Sequence, residues 1–129
     1  MKNLGFNHYN LRASFPMLDT LRDFYCEIVG LCVGARPPLA SEGYWLYAGE
    51  QGVLHLSLAR PGEPREGPPA GTFDHVAFTC TGCAGYQAML DERGVDYRVV
   101  RLPESGQVQI FLRDPAGNGV ELNFAPGSD

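Results

Sequence analysis

The 129-residue chain carries 10 basic and 15 acidic residues, a formal net charge of −5, and its basic residues are scattered. That distribution argues against a nucleic-acid-binding stripe, and the apolar content is that of a globular protein rather than a disordered one. No stretch approaches membrane-spanning length, and Met1-Lys2-Asn3-Leu4-Gly5-Phe6-Asn7-His8 lacks a signal peptide's apolar core, so a soluble, cytoplasmic protein is expected.

Residues Phe6 to Ala13 alternate and predict a strand. Pro16 predicts the first turn of a helix, where its missing N–H costs nothing. Met17, Leu18, Leu21, Phe24, Tyr25 and Ile28 recur at spacings of three and four, giving that helix one buried face, and Gly30 is placed to end it. Cys32 to Arg36, Gly43 to Ala48 and Gly52 to Ala59 predict three strands, which makes residues 5–60 a βαβββ module. Residues 61–72 are rich in proline and glycine without periodicity and predict a linker.

Residues 73–125 restart the pattern with a strand at Phe73. Cys83 to Arg93 predicts a helix carrying Tyr86, Met89 and Leu90, ended by Gly94. Val95 to Arg101, Gln107 to Arg113 and Gly119 to Phe124 complete a second βαβββ module, so the fold class is α+β. Asp114-Pro115-Ala116-Gly117-Asn118-Gly119 predicts a turn with residues suited to positive φ. Cys80-Thr81-Gly82-Cys83 reads as two small residues at a strand-to-helix junction rather than a redox or zinc motif, and Cys26 and Cys32 as small packing groups.

The two modules repeat one another where it matters chemically. Each begins with Phe-x-His, as Phe6-Asn7-His8 and Phe73-Asp74-His75. Each ends with a strand, and Val53-Leu54-His55-Leu56-Ser57-Leu58-Ala59 aligns without a gap on Gly119-Val120-Glu121-Leu122-Asn123-Phe124-Ala125. The chain's three histidines, His8, His55 and His75, and Glu121 all fall at repeat-equivalent positions. One histidine in a strand carries little weight, but the coincidence with a repeat points to a metal site shared between the halves. Strand alternation puts Leu54, Leu56 and Leu58 on one face and the ligand candidates on the other. The same parity places Asn10, Arg12, Ser57, Thr79, Gln109, Arg113 and Asn123 as possible cup-lining residues, of which Arg12, Asn10, Gln109, Arg113 and Asn123 are the substrate-binding candidates. Arg12 and Arg113 could equally form salt bridges at a sheet edge.

The segments Phe73-Asp74-His75-Val76-Ala77-Phe78 and Phe111-Leu112-Arg113-Asp114-Pro115-Ala116-Gly117-Asn118-Gly119-Val120-Glu121-Leu122 resemble the vicinal oxygen chelate superfamily. That superfamily includes glyoxalase I, extradiol dioxygenases, methylmalonyl-CoA epimerase, fosfomycin-resistance enzymes and bleomycin-binding proteins. The resemblance implies tandem βαβββ modules closing a barrel-like cup around a metal, with ligands at the positions of His8, His55, His75 and Glu121. His55 is a departure, because glyoxalase I usually has glutamate there and epimerases glutamine.

A metal-dependent enzyme is the leading expectation, with Fe, Mn, Ni or Zn suited to imidazole and carboxylate donors. Its substrate would chelate the ion through two neighbouring oxygens, for a lyase or isomerase step in which Glu121 or His55 carries the proton. A non-haem Fe(II) ring-cleaving dioxygenase is the alternative, with His8, His75 and Glu121 as ligands. A third reading is a non-catalytic, resistance-type binding protein, with Tyr44, Trp45 and Tyr47 stacking on a planar ligand, although these aromatics read more readily as strand core. A homodimer is expected, because a single module leaves sheet edges and a cup open.

Overall fold

The computed structural model describes residues 1–68 and 71–128, and it divides into two compact units, Met1–Glu66 and Gly67–Asp129. Pro69 and Ala70, within the expected linker, lie outside the described residues. The first unit runs β1 (Tyr9–Ala13), α1 (Phe15–Phe24), β2 (Cys32–Gly34), β3 (Gly43–Ala48) and β4 (Gln51–Leu58). The second runs β5 (His75–Cys80), α2 (Cys83–Glu92), β6 (Tyr97–Arg101), β7 (Val108–Arg113) and β8 (Gly119–Phe124). Each is a βαβββ module with a four-stranded mixed sheet, in the orders β1-β4-β3-β2 and β5-β8-β7-β6. Opening and closing strands pair in parallel, and the other neighbours are antiparallel.

The repeat extends to register. Tyr9 pairs with Leu54 and Asn10 with His55, while Val76 pairs with Val120 and Ala77 with Glu121. The two parallel ladders differ at their first rung. In the second unit pairing begins one residue earlier, at His75 and Gly119. A Cβ on Gly119 would lie 2.3 Å from the Asp74 carbonyl oxygen and 2.9 Å from the His75 Cβ. Val53 occupies the equivalent place in the first unit, and there the ladder starts only after His8. Glycine thus lets β5 close onto β8 at the histidine itself.

Each helix covers the leucine-rich face of its sheet. In the first unit Leu18, Leu21, Tyr25 and Ile28 are buried with Leu46, Leu54 and Leu56. In the second, Leu90 and Cys83 are buried with Ile110, Leu112, Val120, Leu122 and Phe124. A fully buried side chain of this size stabilises the fold by about 1.5–3 kcal/mol. Tyr44 faces α1, donating to Asp19 Oδ1 at 2.6 Å and accepting from Arg22 at 2.9 Å. It ties helix to sheet rather than filling the core.

Several boundaries differ from the sequence reading. The paired strands begin at Tyr9 and His75, not Phe6 and Phe73, and Phe6 and Phe73 are exposed. The first helix does not run regularly to Gly30. Tyr25–Val29 is a π-helical turn, closed by Gly30 at φ 93°. Both Ile28 and Val29 are buried there, a burial that a single regular helical stripe does not distinguish. Cys32 is exposed on β2, contrary to its expected packing role, and all four cysteines are free thiols. Among the described residues, no helix is long and apolar enough to cross a membrane.

The turn into β8 is organised by one buried carboxylate. Asp114 Oδ1 accepts from the backbone N–H groups of Ala116 and Asn118, each at 2.9 Å, and Oδ2 accepts from the Asn118 amide at 2.8 Å. Gly117, at φ 89°, supplies the left-handed residue. The Asp-Pro-x-Gly-Asn run therefore sets where β8 starts. Asp114→Ala is expected to cost about 2–4 kcal/mol of stability, because buried donors lose a charged acceptor. Urea denaturation monitored by circular dichroism tests this, and a loss within about 0.5 kcal/mol, the range of an ordinary surface change, would contradict it.

Candidate metal centre

The second unit brings His75 and Glu121 into direct contact, with Nε2 3.0 Å from Oε2. They lie on adjacent parallel strands, two residues apart in register and on one face. Glu121 is only 5% exposed, so its carboxylate must be matched by polar partners. Its Oε1 accepts from Gln109 Nε2 at 2.7 Å and from Asn123 Nδ2 at 2.8 Å. Gln107 in turn donates to the Asn123 side-chain oxygen. Two of the residues anticipated as substrate contacts, Gln109 and Asn123, thus hold the carboxylate in place. Oε2 is left facing the imidazole.

His75 is oriented from behind as well. Its Nδ1 lies 2.6 Å from Asp74 Oδ2, so the proton belongs on Nδ1 and Nε2 faces Glu121. Asp74 holds the imidazolium and raises the pKa of His75 above its ordinary value, and Glu121 adds to the effect. Asp74 is largely exposed, so salt weakens its share.

The first unit repeats the orienting device with a neutral group. His8 Nδ1 lies 2.6 Å from Asn7 Oδ1. In both halves the residue between Phe and His carries a side-chain oxygen that accepts from the histidine. This was visible as Phe-Asn-His and Phe-Asp-His, yet alternation alone assigns Asn7 and Asp74 no role. The His8 ring stacks on His55, with centroids 3.8 Å apart and planes 17° from parallel. The other face of His55 stacks on Trp45 at 3.8 Å and 5°. Trp45 is therefore neither core nor free, but a flat support for His55. Burial lowers the pKa of His55 below its ordinary value, and the nearby His8 acts in the same direction.

The other first-unit candidates make local bonds. Asn10 donates to Ser57 Oγ at 2.7 Å, and Arg12 donates to the Leu58 carbonyl at 3.0 Å. In the second unit Arg113 donates to the Gly117 carbonyl at 2.9 Å, and Thr79 is exposed. Among the described residues no three His, Cys, Asp or Glu side chains gather closely enough to hold a metal ion, so each unit offers a pair of donors.

With this geometry the chain's sequence matches the Glyoxalase/Bleomycin resistance protein/Dioxygenase superfamily over residues 5–122. The chain belongs to that superfamily. It is 30% identical over 110 residues to "Glyoxylase I 4" of Arabidopsis thaliana, a match covering 81% of this chain and 63% of the plant protein. The chain therefore spans less than two thirds of that relative. A Bacillus anthracis protein described as of the glyoxalase family superposes with a TM-score of 0.74 at 21% identity, covering 97% of this chain and 99% of that one. Lactoylglutathione lyase from Agrobacterium tumefaciens superposes with a TM-score of 0.63 at 23% identity, covering 96% of each chain. At these identities the two structures establish the shared fold.

In metal-free protein, NMR titration should find His75 protonating above pH 6.5 and His55 below it. The raised His75 value favours the folded state below the unfolded value, and that contribution fades as pH rises through the folded one. The lowered His55 value has the opposite sign. It favours the folded state above pH 6.5, and that contribution is lost as pH falls through the folded value. Asp74→Asn should lower the His75 midpoint, and Trp45→Ala should raise that of His55. Identical midpoints for the two histidines would contradict the assigned environments.

Proposed function

We propose that the protein is a divalent-metal-dependent enzyme that acts on a small substrate with two neighbouring oxygens, in a glyoxalase-type isomerase or lyase step. The observation that carries this reading is the 3.0 Å approach of His75 Nε2 to the buried Glu121 Oε2. Two donors bound to one ion at right angles, each about 2.1 Å from it, stand about 3 Å apart. The outward atoms of both groups are engaged by Asp74, Gln109 and Asn123, as the outer partners of metal ligands are. Imidazole and carboxylate suit Fe, Mn, Ni or Zn. The relationship to a plant protein called "Glyoxylase I 4" favours the isomerase or lyase branch.

His8 is read as the third ligand, because Asn7 orients its Nδ1 as Asp74 orients that of His75. His55 is read as the acid–base group. An imidazole lone pair lies in its ring plane, so two nearly parallel stacked rings do not both aim at one ion. A bound divalent ion supplies Lewis acidity to a substrate oxygen. Trp45 holds the His55 ring flat, and burial keeps that imidazole neutral and able to accept a substrate proton. Gln109 and Asn123 keep Glu121 from swinging away. The two-histidine, one-carboxylate set also favours a second reading, a non-haem Fe(II) dioxygenase.

Protein purified without added metal is expected to hold about one divalent ion per site. His8→Ala, His75→Ala and Glu121→Gln should each lose it while keeping their circular dichroism spectra. His55→Asn should keep the ion and lose turnover by about 10²–10⁴-fold. Elemental analysis decides the ligand set, and loss of metal from the His55 variant would return that residue to it. Turnover without oxygen supports the isomerase or lyase, whereas bound iron with oxygen uptake supports the dioxygenase.

A further inference from the structure

A cleft of about 700 Å³ opens in the second unit beside His75, lined in part by Asp96, Tyr97, Arg98, Phe111 and Val120. Its size suits a small organic ligand. Arg98 pairs in register with Phe111, and Phe111 with Glu121, so all three share one cross-strand row. The Arg98 guanidinium carbon lies 4.8 Å over the Phe111 ring. The same ring meets His75 at right angles, with centroids 5.7 Å apart. A cation is thus held one aromatic ring away from the His75 and Glu121 pair.

Stacking occupies the face of a guanidinium and leaves its in-plane N–H donors free. Among the described residues Arg98 forms no ion pair. The cleft's other arginine, Arg113, already donates to the Gly117 carbonyl, and Asp74 is engaged by His75. One free planar fork matches the two oxygens of a carboxylate. We propose that Arg98 seats the carboxylate of a small organic acid, with its apolar body along Phe111 and its vicinal oxygens at His75 and Glu121. This deepens the metal-enzyme reading by naming a substrate class and a residue that selects it. Asp96, one residue before β6 and in the same cleft, opposes an anion and fixes the sense of the test. The competing role for Arg98 is a charge guarding the edge strand β6, which requires no preference among ligands.

The test compares dihydrocaffeate with its methyl ester, which share two neighbouring oxygens and differ in the carboxylate. Binding is measured by calorimetry to the full chain, zinc-loaded and metal-free, without oxygen. The acid should bind about tenfold more tightly than the ester, as a charge-assisted contact predicts. Arg98→Gln should abolish that preference, and Asp96→Asn should enlarge it. Equal binding of acid and ester, a preference that survives Arg98→Gln, or no binding of either probe overturns the proposal. Failure of the wild-type protein to retain zinc would sink the metal reading instead, and the acid-to-ester comparison on metal-free protein then still decides the role of Arg98.

Discussion

The structure of the second unit is organised around a carboxylate taken out of water. Glu121 sits on a strand that is buried along nearly its whole length. An unpaired charge there would cost several kcal/mol, so the chain surrounds it with donors. Gln109 comes from the neighbouring antiparallel strand, Asn123 from the same strand, and His75 from the parallel strand on the other side. Satisfying that one group ties three strands together across neighbouring rungs. It also leaves Oε2 and a histidine nitrogen facing one another, the separation that adjacent donors on a shared ion require.

The polar residues on this face divide into those that hold and those that present. Gln107 and Asn123 form a relay of amides onto the carboxylate, and Gln109 donates to it directly. Asp74 and Asn7 fix which ring nitrogen of each opening histidine carries the proton. The asymmetry between them is chemical as well as positional. A carboxylate behind His75 makes it the more basic imidazole, whereas His55 is stacked, partly buried and made less basic. A duplicated module has thus arrived at unlike environments by single-residue differences, Asn7 against Asp74 and His55 against Glu121.

The same economy appears in the backbone. Gly119 permits one more rung of parallel pairing than Val53 does, and that rung carries His75. Asp114 and Gly117 set the turn from which β8 departs. The most recognisable run of the sequence, from Phe111 to Leu122, therefore combines a turn, a close backbone approach and a buried carboxylate in one stretch. Its residues are constrained by geometry as much as by chemistry.

Much of this was determined by sequence alone. Alternation and helical spacing gave two βαβββ modules, because one-sided burial imposes a period of two on strands and near four on helices. The internal repeat picked out His8, His55, His75 and Glu121 as equivalent positions of equivalent modules. What tertiary structure decided was which side chains touch across strands. Periodicity carries no information about register between strands distant in sequence, so it did not reveal that Gln109 and Asn123 brace Glu121 or that Trp45 supports His55. Nor did it expose the π-helical turn at Tyr25–Val29 or the row from Arg98 through Phe111 to Glu121. The cross-strand contacts depend on non-local pairing, where contact distance rather than position along the chain sets the energy.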